Sequence, residues 1–400
     1  MTSRERVLAA INHKEADRIP IDLGGTAVTD ILAKPYYDLL KLLKIGKPVR
    51  IADCMQMWAY VDDEVSERFQ TDVVCLWSLY DFLGVRRDAG FKDWITPTGT
   101  PVKISKDFNP EKDGKGNYYY KVGGYVYKLP RYGYYFDAIK PAYDWVETPE
   151  DVKKIKYPIM SDEEKKWLKV NGEKLRKESD KFIVTDIVGG WCDIAGPMLG
   201  NAKFYMDIIT NKPMIHALFK KLNDVWMARI DALVETVGDN IDAVIMYNDL
   251  GGNTGGLYKP ETVREMVIPY IKEFYDYVRK VSNYEIIFHS CGSIYEYIPD
   301  LIDAGVNILN PVQVGTKNME PEKLKKEFGK DLTFWGGAVD PQHVLAFKSP
   351  EEVKEQAKHH TEIFMKNGGF VFTQPHNIQS NVPAKNVIAL YDTAIEVGKY

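Results

Sequence analysis

The chain has 400 residues, 45% hydrophobic and 27% charged, with 52 basic and 57 acidic side chains and a net charge of −5. That composition is ordinary for a globular protein, and with no basic block it argues against nucleic acid and anionic membranes as partners. No apolar run reaches the ~18–20 residues of a membrane span, and Met1–Pro20 lacks the pattern of a secretory signal. Four scattered cysteines, Cys54, Cys75, Cys192 and Cys291, speak against a disulfide framework and for a reducing, cytoplasmic setting.

Thr2-x-x-Glu5 has the pattern of a capping box and opens an amphipathic helix with Val7, Leu8 and Ile11 on one face. Short apolar runs then recur. They are Asp72–Trp77, Phe182–Gly190, Ala243–Gly252, Glu285–Gly292, Val306–Val312, Leu332–Asp340 and Gly369–Asn377. Helical patterns lie between them, opened by Lys259-Pro260-Glu261, by Ser349-Pro350-Glu351-Glu352 and by Pro383. Continuous apolar strands alternating with helices predict a parallel sheet covered on both faces. Seven strands, with an eighth near 155–159 or at the N-terminus, favour a closed (β/α)8 TIM-type barrel in one 1–400 domain. The phosphate-binding fingerprint of the open alternative is absent.

Residues 91–140 break the rhythm and read as β-hairpins, with Gly123-Gly124 turning between alternating strands and eight tyrosines between Tyr118 and Tyr135. This stretch is expected to be an insertion on the barrel. It either packs there or at a homodimer interface, or forms a lid over an aromatic-substrate pocket.

Barrel enzymes carry their chemistry where strands end. The strand ends here hold Asp186, Asn248-Asp249, His289 and Cys291, Asn310, Asp340, and Gln374 with His376. His289 and Cys291 are two residues apart and can share a face. With His376 from a neighbouring strand they make a three-ligand set suited to zinc with an open position. A buried histidine beside a core thiol is the competing explanation of the same pair. The paired glycines 189–190, 251–252 and 336–337 read as tight turns, Asp340 as a loop cap, Cys54, Cys75 and Cys192 as core thiols, and His359-His360 as solvated.

Several segments resemble the uroporphyrinogen decarboxylase superfamily: "RERVLAAINHKEADRIPI", "DAVIMYNDLGG" followed by "YKPETVREMVIPYIKEF", "WGGAVDPQHVLAFKSPEEVKEQ" and "GFVFTQPHNIQSNVP". The resemblance covers roughly residues 180–400 plus the N-terminal stretch and implies a (β/α)8 barrel. Decarboxylases of that superfamily grip a tetrapyrrole's carboxylates with an arginine-bearing N-terminal loop. Here the corresponding loop, Asp22–Asp30, has no arginine. The corrinoid-dependent methyltransferase branch holds zinc with a His-x-Cys pair and a later cysteine. His289-x-Cys291 matches the pair, and His376 stands where the later cysteine is expected.

One thiolate and two imidazoles would leave a zinc centre formally positive, a stronger Lewis acid than the two-thiolate version. The resemblance with this swap implies methyl transfer from a small aromatic methyl ether to the cobalamin-type corrinoid of a carrier protein. Asp249, Asn248 and Asp186 are the expected orienting or proton-handling residues, and Trp58, Tyr60, Trp77 and Asn310 the expected substrate contacts. Methylation of a thiol such as coenzyme M, tetrapyrrole decarboxylation, and non-catalytic binding of a corrinoid or porphyrin are the alternatives.

Overall fold

The computed structural model describes residues 1–186 and 189–400. Seven strands form one parallel sheet whose spatial order follows the chain: Val73–Leu76, Phe182–Thr185, Ala243–Tyr247, Glu285–His289, Ile308–Asn310, Thr333–Trp335 and Phe370–Val371. They are shorter than the apolar runs that contain them, because each run continues past its last ladder bond into a loop. Ile187 and Val188, inside the expected second strand, lie outside the described residues.

The sheet closes through the N-terminus. Asp22 donates its amide to Phe372 O at 2.9 Å, Phe372 donates to Pro20 O at 2.8 Å, and Asp72 donates to Ile21 O at 2.7 Å. Ile21 thus bridges both edge strands and serves as the eighth stave. The other expected position, 155–159, forms no strand.

Period-2 alternation then decides which side chains fill the barrel. Val73, Phe182, Val184, Ala243, Ile245, Ile287, Ile308, Trp335 and Val371 form one buried cluster inside it. The first helix, Ser3–Ile11, adds Val7, Ala10 and Ile11 to that cluster, so it plugs one end of the barrel. Its capping box is formed as expected. Arg6 and Arg18 lock this end through Asp72, at 2.6 and 2.7 Å. The outward residues of the same strands, such as Ile183, Met246, Phe288 and Phe334, join the larger core under the surrounding helices.

The expected helix from Lys259 to Val281 is two helices, Pro260–Met266 and Ile268–Val281, because Pro269 cannot continue the first one's hydrogen bonding. His360, expected in solvent, is buried, with Nδ1 at 3.0 Å from Gly337 O; His359 is exposed. Asp340 does cap its loop, accepting from the amides of Gln342 and His343.

Residues 91–140 form two antiparallel sheets, 91–95 with 101–105 and a four-stranded one from 111 to 140. Their aromatics pack largely on one another. Phe108 stacks on Tyr120 at 5.8 Å between centroids, and Trp94 meets Phe108 and Tyr118 edge-on. Phe91 reaches Tyr60 at 6.5 Å, beside the loop that follows the Val73 strand.

Candidate metal centre and barrel mouth

Continuing the inward alternation one step beyond the apolar layer selects Cys75, Asp186, Tyr247, His289 and Asn310. These line the barrel end opposite the helical plug. His289 follows Ile287 on the inner face, and its Nδ1 lies 2.7 Å from Asn310 Oδ1. Asn310 donates its Nδ2 hydrogen to Trp335 O at 2.9 Å, which fixes the amide with its oxygen towards the imidazole. His289 must therefore carry its proton on Nδ1, leaving the Nε2 lone pair facing the cavity. Cys291 Sγ sits 3.4 Å from that Nε2.

His376 completes a cluster in which one ligand atom from each of His289, Cys291 and His376 lies within 4.8 Å of the others. The two imidazole rings cross at 71° with centroids 5.3 Å apart. Zinc bonded to sulfur at ~2.3 Å and to nitrogen at ~2.0–2.1 Å has a tetrahedral S···N edge of about 3.5 Å, so the His289–Cys291 spacing fits a shared ion.

Burial holds both histidines in the neutral form a metal needs. His289 is lowered by desolvation, against the opposing pull of Asp249 and Asn310. His376 is pushed down to about 4 by burial and then by His289. The Cys291 thiol is pushed up by burial and next by Asp249, so a bound cation would have to supply its ionisation. His376 fits less completely. Its Nδ1 accepts the Asn377 amide hydrogen at 2.8 Å, which places its own proton on Nε2. Ligation by His376 requires that amide to let go.

The loops that present Cys291 need glycine. A Cβ on Gly251 would meet Cys291 O at 2.6 Å, and one on Gly292, at φ +80°, would meet the Gly251 carbonyl carbon at 2.4 Å. These two positions allow the loops after the Ala243 and Glu285 strands to touch backbone to backbone. Asp249 ties them further by accepting the Cys291 amide at 2.7 Å, and its Oδ1 is 3.8 Å from His289 Nε2. Asp193, which no motif singles out, accepts the Asp249 amide at 3.0 Å, and burial followed by Asp249 raises its carboxyl far above the usual range. A cavity of about 250 Å³ opens beside Asp249 and Asp193, walled by Cys192, Phe204, Tyr205 and Tyr258.

Asp186 ends the Phe182 strand on the inner face. Burial lifts it to about 6, opposed by the Tyr247 hydroxyl. Tyr247, whose ring meets His289 edge-on at 5.5 Å, is a member of the mouth that alternation from Ile245 would have picked out. Asn248 points the other way. Its Oδ1 accepts the amides of Trp191 and Cys192 at 3.2 and 2.9 Å, bracing the next loop. Asn310, expected on the substrate, is fully buried behind His289 with its amide oxygen and nitrogen both engaged.

Trp58, Tyr60 and Trp77 gather on the Val73 flank, one stave (Ile21) away from the Phe370 strand that leads to His376, and Trp58 bridges Leu32, whose neighbour Ile31 bridges Ile378. Trp58 and Trp77 share a small cluster with Ala27 and Leu32, and Tyr60 meets Trp77 edge-on at 6.2 Å. The Arg87 guanidinium lies 5.0 Å from the Trp77 ring, and no sequence motif announces it.

The uroporphyrinogen decarboxylase (URO-D) family matches the chain over residues 135–397. The chain belongs to that family. A methyltransferase from Methanosarcina mazei has the same overall fold, with a TM-score of 0.62 at 17% identity, covering 99% of each chain. A D-tagatose 3-epimerase-like protein aligns at TM-score 0.33 and 13% identity over 63% of this chain and 96% of its own, and Dispersin B at 0.33 and 9% over 72% and 83%. Scores that low carry no argument. No curated protein matches the chain. No helix among the described residues is long and apolar enough to cross a membrane.

Proposed function

We propose that this family member is a methyltransferase that moves the methyl group of an O-methyl aromatic to the Co(I) corrinoid of a carrier protein. The His289–Cys291–His376 cluster in the barrel mouth is the observation that carries the reading. A tetrapyrrole decarboxylase would need cations facing many carboxylates, and the Asp22–Asp30 loop supplies none. The methyltransferase that shares the fold is in keeping with this choice.

Bound zinc would supply a Lewis acid for the departing oxygen. This chain's own residues do the rest. Tyr60 and Trp77 offer faces and edges to an aromatic ring. Asp186, protonated below about 6, holds a proton that can pass to the phenolate once its methyl has left. Asn310 keeps His289 in one tautomer, and Asp249 holds the Cys291 backbone in place. The C–O bond of the ether breaks, a C–Co bond forms with the electron pair of Co(I), and the phenolate takes up one proton.

The decisive experiment pairs elemental analysis of the purified protein with methyl transfer from guaiacol-type ethers to a reduced corrinoid carrier. About one zinc per chain and turnover abolished by chelation are expected. Undiminished turnover in a zinc-free sample would overturn the metal's role, and absence of transfer to any carrier would overturn the activity.

A further inference from the structure

Arg87 is a half-buried arginine with one nitrogen to spare. Its Nε donates to Ala52 O at 2.9 Å, and its Nη1 donates to Ser78 O at 2.9 Å, to Ser78 Oγ at 3.1 Å and to Tyr80 O at 2.5 Å. Among the described residues its Nη2 donates to no acceptor, and it is not fully enclosed. No carboxylate among the described residues forms an ion pair with it. The neighbouring Arg86, by contrast, is paired with both Asp88 and Glu163. The guanidinium is held rigidly over Trp77 by three carbonyls, and Trp77 in turn meets Tyr60. A fixed cation with two free N–H groups, set above an aromatic platform in a barrel mouth, is a receptor for a flat ring that bears an anion.

We infer that Arg87 is a specificity-determining residue that binds a carboxylate on the aromatic methyl donor, so that the substrates are methoxyarenes carrying a carboxyl group. This rests on the methyl-transfer reading above. A single free nitrogen suits a monoanion, and the nearby Asp186 would repel a dianion such as phosphate. The cavity beside Asp193 and Asp249 has no cation in its lining and would reject the same anion.

The test measures binding without turnover. Quenching of tryptophan fluorescence, checked by calorimetry, compares 4-methoxybenzoate with the neutral 4-methoxybenzamide on the intact protein, with no corrinoid present. The benzoate should bind at least about tenfold more tightly, the worth of one charge-assisted hydrogen bond. Arg87→Gln should abolish that preference, and Arg87→Lys should retain part of it. Equal affinity for the two ligands in the wild-type protein, or no saturable benzoate binding at millimolar concentration, overturns the proposal whether or not the variants fold. A tenfold preference that survives in Arg87→Gln also overturns it. A benzoate preference that depends on Arg87, in a protein that transfers no methyl group, keeps the anion subsite and removes the methyl-transfer reading instead.

Discussion

The two flanks of the barrel mouth are built on opposite plans. On the flank of the Glu285 and Phe370 strands polar groups hold one another in a chain. Trp335 fixes Asn310, Asn310 fixes His289, Asp249 fixes Cys291, and Asp193 fixes Asp249. On the flank of the Val73 strand the contacts are ring edges, ring faces and a guanidinium with a free nitrogen. The first plan is that of a metal centre, where a displaced ligand costs the chemistry. The second tolerates substitution, as a surface that holds a ring does. Asp186 and Tyr247 stand where the two meet.

If the flanks divide chemistry from binding in this way, Cys291→Ala should be the most damaging change. Zinc content should fall to background and methyl transfer should drop about a thousandfold or more, with melting temperature little changed, since Cys291 is only partly buried. Full activity in that variant would break the comparison outright.

At the seam, Asp186 provides a pH test. Its carboxyl is raised to about 6, so the folded protein keeps a proton that the unfolded chain releases near 4. The stability it contributes is complete below about 4 and is lost as pH rises through about 6, at most about 3 kcal/mol. Turnover should show a limb falling through the same value. Asp186→Asn should flatten both the melting profile and that limb between pH 4 and 7.

Asn310→Ala should weaken zinc binding about 10–100-fold by freeing the His289 ring, read by competition with a chelator of known affinity. The smallest expected effect is Trp77→Ala, which should weaken aromatic ligands by about threefold to tenfold and leave zinc content untouched. Combined with Cys291→Ala the effects should add, because Trp77 and Cys291 touch no common residue among those described.

The barrel was legible from apolar runs and from the helices between them, and the strand ends that suggested His289, Cys291 and His376 do lie together. Alternation also separates Tyr247, which faces inward, from Asn248, which does not, although the residue types alone favoured the asparagine. Asn310 shows a different limit. Its place at a strand end was clear, but whether an amide meets a substrate or a histidine depends on the neighbouring strand, and that pairing is long-range. Asp193 lies in the first turn of the Cys192–Leu199 helix and Arg87 in a loop, and no motif marks either. The eighth stave stayed open between 155–159 and the N-terminus because a proline-containing stretch, Arg18–Asp22, makes only edge bonds.

That stave has a consequence for how the protein is made. Ile21 leaves the ribosome well before its bridge partner Phe372, with all the other staves between them. Those staves can add in the order of synthesis, each beside its predecessor, but the final seam must wait for the Phe370 strand. Phe372 sits four residues before His376, so the stretch that seals the barrel also delivers the third member of the candidate zinc cluster. A nascent chain can therefore neither close its barrel nor complete that cluster until the Phe370 strand and the loop after it have been made, which ties readiness for metal to closure of the fold.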